Sequence, residues 1–299
     1  MNKLNLSIGI LSWKRNDVLC QTLSSYQRNG LLEVSDDITV FFNEIGGEEV
    51  ALAEEFGLKY IGTPENAGIK NGYKALADNA KNEYFLFLEN DWYLFENTET
   101  TQKRLESGIA VLSKNNAHVV RYRSRKFPGF PCGIVRKNAK HPELTPKHDL
   151  TFVPCITENP CAIFPEIQSK EINGETYYFF ESKNSLWTNN PCLFRTDFIR
   201  EILTVDLPRP QNPDKKTRYG TSYKNVSLEG DMESYWPKTG YITATSDGLF
   251  SHLDYIENFK PRQRYNAGLV QFISNVIINP RERRIFRARH SLPKAFYEQ

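Results

Sequence analysis

Cysteine is scarce in this 299-residue chain. Its five copies, Cys20, Cys132, Cys155, Cys161 and Cys192, form no CxxC pair. An odd number without paired spacing points to neither a zinc knuckle nor a disulfide framework, and reduced thiols in a cytoplasmic compartment are the expectation. No apolar run approaches the roughly 20 residues that a membrane span requires. The opening stretch Met1-Asn2-Lys3-Leu4-Asn5-Leu6-Ser7 passes straight into a strand pattern, without the apolar segment of a secretory signal. An excess of one charge is missing too: 38 Lys and Arg stand against 36 Asp and Glu, so bulk electrostatics gives no sign of nucleic-acid binding. Internal repeats and low-complexity tracts are absent. What remains is ordinary globular material, 39% hydrophobic and 25% charged. It can bury a sizeable core in one large α/β domain or two modest ones.

The first half alternates strand and helix signals. Leu6 to Ser12, Asp37 to Asn43, Lys59 to Ile61, Glu83 to Glu89 and His118 to Tyr122 read as strands. Asp17 to Arg28, Gly47 to Phe56, Gly68 to Ala80 and Glu99 to Leu112 read as helices, the first with Asn16 as its N-cap. The strand EYFLFLE is nearly continuous in apolar residues, as expected for burial on both faces. This order predicts an α/β fold with an open, mostly parallel, doubly wound sheet. After Arg123 the rhythm changes. Residues 125–150 and 205–225 are Pro-rich and read as loops. Asn173-Gly174 between β-rich arms predicts a hairpin within 162–181. Thr196 to Leu203 and Asp231 to Trp236 are expected to be short helices, Tyr241 to Thr245 a strand, and Tyr265 to Ile278 a helix before a basic tail.

The sharpest chemical feature is Glu89-Asn90-Asp91, at the end of the most hydrophobic strand. Side chains alternate along a strand, so Glu89 and Asp91 share a direction opposed to Asn90. Ligands of open α/β sheets sit outside the carboxyl ends of the strands. Two carboxylates there repel unless a proton or a cation neutralises them, and a hard divalent ion bridging a carboxylate and diphosphate oxygens is the natural solution. The alternative is a solvated loop with a capping acid.

At this point the chain resembles the inverting family-2 glycosyltransferases of GT-A fold, whose DxD motif ends a strand at the same place in the order. The resemblance implies Mn²⁺ or Mg²⁺ on Asp91, with Glu89 and Asn90 beside the donor. Three further segments are similar in order. Leu11-Ser12-Trp13-Lys14-Arg15 stands where the family has its nucleotide-framing PTYNR motif, departing at Leu11 and Lys14. It implies stacking by Trp13 and polar contacts from Ser12 or Arg15. Phe42-Asn43-Glu44 stands at the turn after the second strand and implies base or ribose contacts from Asn43 and Glu44. Glu65-Asn66-Ala67-Gly68-Ile69-Lys70-Asn71-Gly72 resembles the family's helix entry. There Asn66, Gly68 and Lys70 would meet the donor, and helix N-terminal amides favour anions.

The second half carries fainter likenesses. Ser227-Leu228-Glu229-Gly230-Asp231 resembles the family's ED segment, which supplies the base that takes the acceptor proton. Glu229 and Asp231 both stand as candidates, against simple acids at a helix start. His252, after Gly248-Leu249-Phe250-Ser251, is a second metal-ligand candidate. His118, His141, His148 and His290 have no such context. Trp187 and Asn189 stand where the family lines its acceptor side, with a core Trp as the alternative. The tail arginines 281, 283, 284, 287 and 289 suit a solvated helix face better than an anionic lipid or acceptor.

Three parts are therefore expected: 1–123 as a nucleotide-sugar-binding half, 124–255 as an acceptor-binding and catalytic half, and 256–299 as a basic helical extension. The partners implied are a UDP- or GDP-linked sugar and an acceptor hydroxyl. A sugar-phosphate nucleotidyltransferase or a dehydrogenase would open with a glycine-rich loop after the first strand, and Ser12-Trp13-Lys14-Arg15-Asn16 holds no glycine. A non-catalytic nucleotide- or carbohydrate-binding protein on the same scaffold is the remaining alternative. It is distinguished by whether Glu229 or Asp231 faces the expected metal site.

Overall fold

The computed structural model describes residues 3–125, 150–151, 153–156, 159–205, 228–232 and 235–252. Strands and helices alternate through the first half: β1 (Leu6–Trp13), α1 (Asn16–Arg28), β2 (Asp37–Asn43), α2 (Gly47–Glu55), β3 (Lys59–Thr63), α3 (Gly68–Asn79), β4 (Tyr84–Glu89), β5 (Trp92–Leu94), α4 (Thr98–Lys114) and β6 (Val119–Arg123). The second half adds two short helices, α5 (Val153–Ile156) and α6 (Pro160–Ile163), then β7 (Gln168–Ile172), β8 (Glu175–Glu181), β9 (Cys192–Arg195), α7 (Thr196–Thr204), α8 (Leu228–Met232) and β10 (Ile242–His252).

All ten strands join one sheet in the order β3-β2-β1-β4-β9-β6-β10-β8-β7, with β5 paired to β10. The pairings make seven of the ten strands run the same way, with β5, β8 and β9 reversed. The expected open, mostly parallel α/β sheet is therefore present, and it continues across the boundary drawn at residue 123. Both faces are covered. Leu86 and Leu88 of β4 join a core with Leu19, Leu23 and Tyr26 of α1 and Leu105 of α4. Phe85 and Phe87 face the other way, toward Tyr73 and Leu76 of α3 and Ile199 and Ile202 of α7. The Tyr73 ring stacks on Phe87 at 3.5 Å. Helix α3 lies tight on the sheet because Gly72 has no side chain: a Cβ there would come within 2.5 Å of Leu11 Cδ1.

The hairpin prediction holds, with Asn173 and Gly174 at φ 52° and 74° between β7 and β8, as a two-residue primed turn requires. Several boundaries differ. Asn16 begins α1 rather than capping it, and the cap position is Arg15 in a left-handed conformation. The helix expected over Asp231 to Trp236 lies earlier, at Leu228–Met232, followed by a 3-10 turn at Trp236–Lys238. Strands β5 and β9 are too short for a periodic signal. The strand expected to end at Thr245 runs on to His252 through an irregularity beside β6. Gly248 makes that possible, with φ 71° and a position where a Cβ would fall 2.0 Å from the Arg123 carbonyl oxygen. Nearly all of the loops expected at 125–150 and 205–225, and the whole of the helix expected at Tyr265 to Ile278, the basic tail, His141, His148 and His290, lie outside the described residues. Among the described residues no helix is long and apolar enough to cross a membrane.

Candidate functional site

Strands β1, β2, β4 and β10 run the same way, so Trp13, Asn43, Glu89 and His252, the last residue of each, stand along the carboxyl end of the sheet. The chain leaves β1 through two left-handed residues, Lys14 and Arg15, at φ 53° and 57°. Asn90 pins this exit. Its N–H donates to the Leu11 carbonyl at 3.0 Å, its Nδ2 donates to the Lys14 carbonyl at 3.3 Å, and its own carbonyl accepts from Thr22. Asn90 is buried, so its side chain fixes the β1 exit from within the fold. Ser12 is also buried, and its Oγ has no hydrogen-bond partner among the described residues.

Trp13 is half exposed, unlike the other described tryptophans. Its Nε1 donates to Glu44 Oε1 at 3.0 Å, and Lys14 pairs with Glu44 Oε2 at 2.8 Å. The hydrogen bonds from Lys14 and then Trp13 hold the Glu44 carboxyl below its ordinary value. An aromatic plate is thus clamped at its edge with one region open to solvent. Across from it, Asn43 Oδ1 accepts from the Ala67 N–H and Asn66 Oδ1 from the Gly68 N–H. The first bond ties the entry of α3 to the end of β2, and the second shapes the entry itself. Gly68 takes φ 80° with open space around it. Lys70 points elsewhere, donating to the Val205 carbonyl at the end of α7.

The acidic end of β4 lies at the centre. The antiparallel β5–β10 register sets His252 opposite Trp92, and the two rings meet edge to face at 5.3 Å. Asp91 is thereby delivered to the histidine, with Oδ2 3.2 Å from His252 Nε2 and 3.4 Å from an Arg15 guanidinium nitrogen. Asp91 Oδ1 is buried and has no partner among the described residues. Burial drives the Glu89 carboxyl well above the ordinary range, and the charges of Asp91 and then Glu229 push it further, opposed by the Trp92 indole. Glu229, although distant in sequence, therefore lies within electrostatic reach of Glu89. Its Oε1 accepts from the Asn189 N–H at 2.8 Å. The side chain of Asp231 lies outside the described residues.

Asn189 is buried beside Glu229, and its Oδ1 has no partner among the described residues. Trp187 is packed in an aromatic cluster, stacked on Phe194 and edge-on to Trp236, rather than presented on an open surface. His118 is likewise structural. Its Nδ1 accepts from the Ile242 N–H, and burial lowers its pKa. Two arginines were missed by sequence reasoning. Arg121 and Arg123, at alternate positions of β6, are buried on the sheet face that also carries Cys192. The signal was there in VVRYR, where two charges at a spacing of two interrupt a buried strand. The Cys192 thiol is pushed up to about 12, by burial first, with Arg121 opposing and Glu229 and Glu89 adding.

Among the described residues no cluster of three or more His, Cys, Asp or Glu could cage an ion alone. A Mg²⁺- or Mn²⁺-type ion does not need such a cage, because one or two protein ligands plus substrate phosphates suffice. Asp91, with one oxygen beside an imidazole and the other buried and unpaired, fits that mode.

The chain matches no protein-family profile and no curated protein. Solved structures with a similar overall fold include S. aureus TarS residues 1–349, at 13% identity and TM-score 0.48, covering 95% of this chain and 69% of that one. Glucosyl-3-phosphoglycerate synthase from Mycobacterium tuberculosis, in complex with Mn²⁺, UDP and glucosyl-3-phosphoglycerate, is similar at 11% identity and TM-score 0.45, covering 92% and 80%. A mannosyltransferase from Pyrobaculum calidifontis, in complex with GDP-Man and Mn²⁺, is similar at 9% identity and TM-score 0.45, covering 97% and 70%.

Proposed function

We propose that this chain is a metal-dependent glycosyltransferase that moves a sugar from a UDP- or GDP-linked donor onto an acceptor hydroxyl. One observation carries the reading: Asp91, at the end of the most apolar strand, lies 3.2 Å from His252 and keeps a buried oxygen with no partner among the described residues.

In this reading Asp91 and His252 would hold Mn²⁺ or Mg²⁺, which would supply positive charge to offset that of the diphosphate leaving group. The exposed ring of Trp13 takes the nucleotide base by stacking. Glu44 holds that ring by its indole N–H. Asn90 keeps the β1 exit closed beneath the donor. Glu229 removes the proton from the acceptor hydroxyl as its oxygen attacks the anomeric carbon. The Asn189 amide fixes Glu229 Oε1, and Oε2 is the oxygen left for that proton. Inversion at the anomeric carbon follows from the family resemblance alone. Glu229 is preferred to Asp231 as base because of this backbone anchor.

The test is a panel of UDP- and GDP-linked sugars incubated with the protein, with Mn²⁺ or with chelator, read by release of UDP or GDP. Release from one donor that needs the metal supports the assignment. Release that chelator leaves unchanged removes the role given to Asp91.

A further inference from the structure

Arg123 touches the neighbours of both halves of the proposed site. It ends β6, opposite Phe250 of β10, and is 8% exposed. Its guanidinium lies 5.6 Å from the centre of the Trp92 ring. Trp92 follows Asp91 in sequence and packs against His252. Arg123 Nη1 donates to Asn190 Oδ1 at 3.1 Å. Asn190 follows Asn189, whose N–H holds Glu229. The backbone beneath is fixed as well. Ser124 N–H donates to the Phe250 carbonyl at 2.7 Å, and Gly248 sits so close to the Arg123 carbonyl that only glycine fits.

We propose that Arg123 is a positioning residue that sets the separation between the Asp91–His252 pair and the Glu229 carboxylate. Its guanidinium lies over the Trp92 ring, and Nη1 holds Asn190 of the irregular segment 186–190. This rests on the glycosyltransferase reading and adds a residue to it. The physics is that of a brace. Residues 186–190 have no ladder hydrogen bonds of their own to fix the Asn189 amide. A displacement of about 1 Å in a catalytic group costs on the order of 10²-fold in rate. Guanidinium is suited to the task because it stacks with its plane while donating from its edge, which a lysine ammonium cannot do together.

The experiment uses the full chain and the donor found in the nucleotide-sugar panel, with Mn²⁺. Arg123→Lys and Asn190→Ala are each expected to lower kcat by about 10- to 100-fold while the donor KM stays within about twofold. The double variant should be no slower than the worse single one, because both substitutions cut one link. Asn190→Asp, which keeps an oxygen for the guanidinium, should retain most of the rate. Unchanged kcat in folded Asn190→Ala, or losses that multiply in the double variant, overturns the positioning role. If Arg123→Lys fails to fold, the Asn190 pair decides alone. Absence of turnover in the unsubstituted protein overturns the enzymatic reading and this role with it, whereas turnover that both substitutions leave intact overturns this role only.

Discussion

Asp91 Oδ2 lies 3.2 Å from His252 Nε2, although the two residues belong to opposite halves of the chain. The contact exists because the three-residue strand β5 turns back from the acidic end of β4 and pairs with the last three residues of β10. Replacing Asp91 by Ala should therefore leave the fold intact and remove metal-supported donor cleavage. A loss of about 10²-fold or more is expected from the several kcal/mol that such charge stabilisation supplies. UDP or GDP release measured against Mn²⁺ concentration checks this, and undiminished release would refute it.

Glu229→Gln keeps the shape of the side chain and its bond from the Asn189 amide but cannot take a proton. Transfer should fall by about 10²- to 10⁴-fold, the usual contribution of a general base. Nucleotide affinity, measured by calorimetry with Mn²⁺ present, should stay unchanged. Full activity would move the base to Asp231 or elsewhere.

Trp13 is clamped by Glu44 yet half exposed, which suits a stacking surface better than a core. Trp13→Ala should weaken nucleotide binding by about 1–3 kcal/mol, with partial recovery in Trp13→Phe. Quenching of tryptophan fluorescence on nucleotide addition should disappear with the ring. Retained affinity in the alanine variant would place the base elsewhere.

At the opposite end of the sheet, Asp37 serves stability. It is buried and accepts from Ser7 Oγ at 2.6 Å, from the Lys81 N–H at 2.9 Å and from Lys59 Nζ at 3.0 Å. Burial raises its pKa, but the bonds from Ser7, Lys81 and Lys59 outweigh that and leave it lowered. A carboxyl lowered in the folded state stabilises above its unfolded pKa, about 3.9, and that contribution disappears as pH falls through the folded value. Asp37→Ala should cost about 1–3 kcal/mol near neutrality, because Ser7 Oγ loses its acceptor and the Lys81 N–H and Lys59 Nζ each lose one of two. The gap between the two proteins should narrow below pH 4. Urea unfolding at pH 7 and pH 3.5 measures both. An equal gap at the two values would refute the charge-based account.

The legible parts of the sequence were those with long-range pattern. The apolar run of β4, the helix between β1 and β2, and the Asn173-Gly174 turn all follow from local periodicity or turn chemistry. Strand β9 was illegible because CLFR is too short to show a period, and its identity comes from sitting between β4 and β6. The extension of β10 was hidden because Ser246-Asp247-Gly248 reads as a break, whereas in three dimensions the glycine lets the strand pass over the Arg123 carbonyl. Within the site, acids at a strand end were visible from alternation alone. The amide that anchors Glu229 was not, because backbone donors in an irregular segment leave no trace in residue type. Trp187 and Trp13 could not be told apart by sequence. Only the packing around each shows that one is enclosed by Phe194 and Trp236 and the other faces solvent.

Strand β9 also bears on where the polypeptide can be cut. It enters antiparallel between β4 and β6, so the Phe85 and Phe87 register positions are matched by Phe194 and Cys192 from far down the chain. A fragment stopping at residue 123 would carry β4 as a bare, apolar rim with unpaired amides and carbonyls, the kind of edge that recruits other chains. The first half of the chain is thus not a detachable module. Its solubility depends on a segment translated only after it is already made.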